Sequence, residues 1–206
     1  MARRLDRVNA RRTQAERSAA TRAALLAAAR DLFAEHGFAA TGREQIAERA
    51  GVTRGALYHH FGSKELLFRA VVEELEVELG TQVMMAAATS SDAAEQLRLG
   101  CMAFLDACLD PAVRRVVLIE APVVLGWEQW REIDAQHGLL LVTHALQAVV
   151  DSGQMSAVAV EPLAHLLLGA LNEAAMLVAN AKTPKAARAE IGNTLDVLLD
   201  RIVTPR

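Results

Sequence analysis

The stretch IAERAGVTRGALYHHFGSKELL, Ile46 to Leu67, decides how this chain is read. It describes two short helices around a glycine. The first stops at Gly51, and Thr53 stands where an N-cap would open the second. Ala47 is small where the second helix must cross. Gly51 supplies the positive φ of the turn. Ile46, Val52 and Leu57 fill the wedge between the helices. On a helix of about two turns, Arg54, Gly55, Tyr58 and His59 project away from Leu57 and Phe61, which face inward. Two short helices joined this way have a familiar physical use. The first braces the second, and the second enters the major groove of DNA. The only tyrosine of the chain and two of its six histidines lie in this segment. A tyrosine and histidines on the outward face offer hydrogen bonds to phosphate and flat faces to thymine methyls. Lys64, opening the next helix, fits a phosphate clamp. The pattern alone also describes a helical hairpin with a solvated polar face.

Outward from this segment the chain reads as helix throughout. The 206 residues fit one or two domains. Apolar residues make up 52%, aromatics only 4%, and no useful segment alternates with period two. Residues 1–64 hold 12 Lys and Arg against 6 Asp and Glu, whereas 65–206 hold 10 against 19. A basic, polyanion-facing N-terminal part therefore precedes an acidic remainder. Residues 1–17, with six arginines and two acids, are expected as a flexible basic arm. A helix from about Thr21 ends at Gly37, a left-handed C-cap position. For the next helix, Thr41 with Glu44 fits a capping box, and Gly42 with Gln45 is the close alternative. Ser63 caps the helix running towards Met85, and Asp92 with Glu95 caps another. A helix from Trp127 to Val150, one opened by Pro162 and one opened by Thr183-Pro184 complete the chain.

Trp127 and Trp130 share a helical stripe with Asp134, His137, Leu141 and His144. Two tryptophans, an acid and two histidines on one stripe suit a cavity lining, although roughly 25 Å of helix exceeds a single pocket. Phe104, Cys108, Asn172 and Met176 are further candidates, each also explicable as core. Cys101 and Cys108, seven residues apart, are too far apart for a disulfide and are read as reduced thiols in the core. His137 and His144 make no metal motif, and no cofactor is implied. No apolar run is expected to span a membrane, and the arginine-rich N-terminus has no secretory h-region, so a cytoplasmic protein is expected.

The joint pattern of residues 21–68, TRAALLAAARDLFAEHGFAATGREQIAERAGVTRGALYHHFGSKELL, resembles the N-terminal domain of TetR/AcrR-family transcriptional regulators. The resemblance implies an all-α protein of about nine helices. A helix-turn-helix domain over 18–66 would precede an effector-binding and dimerisation domain over 67–206. It implies that Arg43 reaches a base edge. Thr53, Tyr58, His60 and Lys64 match positions that hold phosphates, and Arg54, Gly55 and His59 match those nearest the bases. One departure stands out. The family often has a threonine where this chain has Gly42, so Thr41 would take over the cap. Such regulators dimerise through their last two helices, here through Leu166, Gly169, Ala170 and Ala174 with Leu195 and Leu199. The implied function is a ligand-responsive repressor: a homodimer on a palindromic operator, released by a small hydrophobic or amphipathic effector. Two alternatives stand beside it. A helical enzyme would need a nucleophile–base pair, a phosphate loop or a metal spacing, and none is present. A sequence-independent architectural DNA-binding protein is suggested only by the basic arm.

Overall fold

The computed structural model of the chain describes residues 2–156 and 159–203, with side chains from Thr13 onward. Ten α-helices form the described chain: α1 Ala2–His36, α2 Arg43–Arg49, α3 Arg54–Phe61, α4 Lys64–Ala87, α5 Ala93–Ala107, α6 Ala121–Val124, α7 Trp127–Asp134, α8 Leu140–Asp151, α9 Val160–Asn180 and α10 Pro184–Ile202. A π-helical segment, Val113–Glu120, runs into α6, and another, Ala135–Leu139, joins α7 to α8. Counted with the helices they continue, these segments leave nine helical rods and no strand among the described residues.

The chain divides into two compact units, Met1–Val71 and Val72–Arg206, and passes from one to the other within α4. The boundary expected at 66/67 falls within the same helix. Leu67, Phe68 and Val71 are fully buried in the first unit, so the first two turns of α4 belong to its core. The expected arm falls on the start of α1. Residues from Ala2 continue α1 as helix, since neither glycine nor proline interrupts the chain before Gly37.

In the first unit the apolar stripe of α1, Leu25, Ala29, Leu32 and Phe33, packs on Ile46, Ala47 and Leu57. Phe33, Phe38 and Phe68 close the core with ring centroids 5.1–5.8 Å apart. Gly37, at φ 83°, ends α1, and Gly51, at φ 67°, makes the turn between α2 and α3. Both lie in the left-handed region where a Cβ is strained. Thr41 does not cap α2. Its buried hydroxyl donates to the carbonyls of Gly37 (2.7 Å) and Leu32 (3.2 Å), closing the end of α1. The α2 cap is Gly42, whose N–H donates to Gln45 Oε1 at 2.7 Å.

In the second unit α5, α8, α9 and α10 pack around Leu97, Leu105, Leu146, Leu167, Leu171 and Leu195. Asp92 accepts from the Glu95 N–H at 2.9 Å, as the spacing predicts. Arg98 of α5 ties this bundle to α10 through Asp196 at 2.7 Å and through Asp200. α9 is a strongly apolar helix of this core. It has 21 residues, is long and apolar enough by composition to cross a membrane, and is half buried inside the unit.

Candidate nucleic-acid interface and internal cavity

The helix-turn-helix stands on a small buried wedge. Ile46, Ala47 and Leu57 are each at most 2% exposed, and Phe61 is 8% exposed. Fixing these side chains inward leaves Thr53, Arg54, Gly55, Tyr58 and His59 exposed together on the outer side of α3, with His60 half-buried. Thr53 holds the N-cap position with extended backbone, but its hydroxyl makes no capping hydrogen bond.

Two of the arginines expected at the bases are already engaged. Arg54 pairs with Glu44 at 2.5 Å. The Glu44 carboxyl is held below its usual range by a backbone hydrogen bond and by the Arg54 charge. Arg43 donates to the Tyr58 hydroxyl and lies 5.5 Å from the centre of its ring. Both pairs are exposed, and solvent screening leaves such pairs little net stabilisation. They orient the arginines without locking them.

Lys64 also has partners within the fold. Its ammonium donates to the carbonyls of Phe38 (2.9 Å) and Thr41 (3.0 Å) and sits 4.0 Å from the Phe38 ring centre. It pins the α1–α2 loop to the start of α4 and has one of its three donors left. Among the described residues, no atom beyond Gly55's chain neighbours and its own helix backbone lies within 4 Å of where a Cβ would be. Nothing inside the fold requires glycine there, although glycine costs a helix about 1 kcal/mol.

The second unit encloses a cavity of about 430 Å³. α4, α5, α7, α8 and α9 each contribute to its walls. Five of the eight expected effector residues line it: Phe104, Trp130, His137, His144 and Asn172. The other three do not. Trp127 lies 5.0 Å from Trp130, ring centre to ring centre, yet is 64% exposed. Cys108 and Met176 belong to a separate packed cluster with Leu118 and Ala175. Burial pushes both cysteine thiols up to about 12.

Three polar groups of the cavity are buried, on Asp134, Trp130 and Glu76. Asp134 accepts from Arg131 at 2.8 Å and from Asn172 at 3.1 Å, and burial raises its carboxyl against the pull of Arg131. The Trp130 indole N–H is buried without a hydrogen-bond partner among the described residues. Glu76, 7% exposed, lines the same cavity. Burial, reinforced by Asp134, pushes its carboxyl up to about 8. The sequence reading missed Glu76, although a signal was present. Val72, Leu75, Leu79 and Val83 form a helical stripe, and Glu76 is the one acid of VVEELEVEL that falls on it.

Among the described residues no group of three metal-ligating side chains occurs. The dimer candidates separate into two sets. Leu166, Gly169 and Ala170 are exposed on α9, whereas Ala174, Leu195 and Leu199 are buried within the subunit core.

The fold and these two sites define a class: a helix-turn-helix unit followed by a helical unit built around a largely apolar cavity. Residues 25–71 match the family of bacterial regulatory proteins, tetR family, and residues 94–202 match the C-terminal domain of tetracyclin repressor-like proteins. A solved TetR-family transcriptional regulator from Pectobacterium atrosepticum superposes with a TM-score of 0.81 at 34% identity, covering 93% of this chain and 98% of that one. The HTH-type transcriptional activator FasR of Mycolicibacterium smegmatis is 40% identical over 85 residues, 41% of this chain and 39% of FasR. The HTH-type transcriptional regulator TtgR of Pseudomonas putida is 39% identical over 112 residues, 52% of this chain and 51% of TtgR. The chain thus spans about half or less of the length of these two curated relatives. It belongs to the TetR family of transcriptional regulators.

Proposed function

We propose that the protein is a ligand-responsive transcriptional repressor of the cytoplasm, a homodimer on a palindromic operator. The observation that carries this reading is the outer face of α3, where Arg54, Gly55, Tyr58 and His59 stand out together over a buried wedge. Arg43 and Arg54 read base edges after exchanging Tyr58 and Glu44 for guanine, and Thr53, Tyr58, His60 and the remaining donor of Lys64 hold phosphates. The dimer forms on the uncovered side of α9 and α10. Leu166 and Leu177 are 73% and 55% exposed, Gly169 and Ala170 lie between them, and Val197 and Leu198 of α10 are 60% and 46% exposed.

The effector occupies the cavity of the second unit. α4 carries Lys64 in its first turn and Glu76, Leu79, Gly80, Val83 and Met84 in the cavity wall. A ligand that displaces α4 changes the helix on which the reading unit is built. Effector and operator then oppose each other with a reciprocal coupling, ordinarily about 1–3 kcal/mol.

Footprinting of the DNA flanking its own gene, with competitor DNA and with candidate effectors, tests the reading. The expected result is a protected palindrome with half-sites about 34–36 Å apart, vanishing when an effector is added. Equal affinity for unrelated DNA would replace it with the architectural reading. Turnover of a cavity ligand would replace it with the enzyme.

A further inference from the structure

We propose that the cavity takes an amphipathic amine, its ammonium group seated on Glu76 and its apolar body extending along α4 and α8. This rests on the effector-cavity reading above and names the chemistry of its ligand. Glu76 is 7% exposed, and no hydrogen bond to its carboxyl exists among the described residues. A buried carboxyl without a partner is costly, and a fold that retains one at a cavity wall leaves its pairing to a ligand.

The groups facing Glu76 define that ligand. Asp134 of α7 is held by Arg131 and by Asn172 of α9, so it is already compensated. Cys101 of α5 and Cys108, just beyond it, are thiols pushed up to about 12 and remain neutral. His137 and His144 also line the cavity, and among the described residues no lysine or arginine does. An anionic head would therefore meet two acids and no fixed cation. An ammonium head meets a carboxyl lacking a partner, with the rings of Phe104 and Trp130 in the same cavity.

The length of the ligand follows from the helices. Glu76 precedes Met84 by two turns of α4, about 12 Å. Met84 is 52% exposed, and His144 and Ala148 are exposed on α8, so this end of the lining opens to solvent. Between them Leu79, Gly80, Val83, Leu141 and Val142 present apolar surface. The charged end of the ligand lies deep, and its apolar end lies at the mouth. Below pH about 8 the empty cavity holds Glu76 protonated. Seating an ammonium ion ionises it, and one proton leaves to solvent.

Calorimetric titration of the full chain with 4-phenylbutylamine, 4-phenylbutan-1-ol and 4-phenylbutyrate tests the proposal. The amine is expected to bind roughly tenfold tighter than the alcohol at pH 8, with the carboxylate weakest. Its affinity should rise from pH 6 to 8, and at pH 7 close to one proton should be released per amine, read in buffers of different ionisation enthalpy. Glu76→Gln should lower the amine to the affinity of the alcohol. The proposal is overturned if the alcohol matches the amine, or if Glu76→Gln keeps the amine preference. Should that variant not fold, proton release by the unmodified protein decides, and its absence overturns the proposal. An alcohol that binds as tightly as the amine and releases DNA leaves the effector cavity standing and removes only the amine. Failure of all three probes to bind overturns both.

Discussion

The two units place their polar groups in opposite ways. On the helix-turn-helix the side chains that matter are exposed and hold provisional partners, Arg54 on Glu44 and Arg43 on Tyr58. In the cavity unit they are buried, and the Glu76 carboxyl and the Trp130 N–H have none. A surface that reads a polyanion keeps its arginines solvated until DNA arrives, at little cost to the fold. A cavity that reads a small molecule must carry its unsatisfied groups inside, at the expense of stability. Removing an outward-facing group of α3 should therefore leave the first unit's stability nearly unchanged, and removing the Glu76 charge should raise that of the second.

Glu76→Gln should have the largest effect. The folded carboxyl is raised from 4.5 to about 8, so the unfolded chain ionises first as pH rises. The protein then loses stability from about pH 4.5 up to about pH 8, with no further loss above. The variant should lack that slope and be more stable at pH 8 by on the order of 3 kcal/mol. Denaturant unfolding at pH 5 and pH 8 measures both. Parallel pH profiles for the two proteins would mean that Glu76 is not a stored cost.

Arg54→Ala should show the reverse. Specific operator affinity should fall by about 1–3 kcal/mol and sequence preference should relax. The melting temperature should stay nearly constant, because the pair with Glu44 is exposed. Competition binding and thermal unfolding read the two sides, and an unchanged operator affinity would remove α3 from the groove.

Lys64→Ala sharpens the comparison because Lys64 belongs to the structural side of its unit. Two part-buried carbonyls lose their donor, so unfolding should be easier by about 1–2 kcal/mol. If one contact to phosphate is also lost, the salt dependence of DNA binding flattens by about one unit of slope. A flattened slope at unchanged stability would return Lys64 to a phosphate clamp alone.

Gly55→Ala is the smallest and the most pointed. Among the described residues the Cβ meets nothing beyond its own helix backbone, so helix propensity alone should add about 1 kcal/mol of stability. The same methyl would stand between α3 and the bases, so operator affinity should fall. An affinity that stays level would leave this glycine with no role in close approach.

The reading unit was legible because its constraints are local. Gly37 and Gly51 need positive φ, Ser63 caps α4 through the Leu66 N–H at 3.1 Å, and Ala47 must be small where α3 crosses. Each requirement lies within a few residues of the one that meets it. The local alternatives at the start of α2 needed coordinates. Thr41 and Gly42 both satisfied a cap in sequence, and Thr41 turned out to bond backward to α1.

The cavity unit was legible only as helices. Periodicity places Trp127, Trp130, His137 and His144 near one side but does not say which neighbour covers each turn. Trp130 went inside and Trp127 did not. Leu195 and Leu199 form a stripe that a partner subunit or the subunit's own α5 and α9 could cover, and their own core covers it. Glu76 sits on an apolar stripe that two neighbouring acids, Glu73 and Glu74, obscure.

The sequence by itself determined the helical class, the helix-turn-helix and its outward residues, since these follow from backbone preferences and side-chain spacing along one segment. Only the tertiary structure decided which stripe faces a void, which carboxyl is left without a partner, and which leucines remain uncovered. Those properties belong to contacts between segments far apart in the chain.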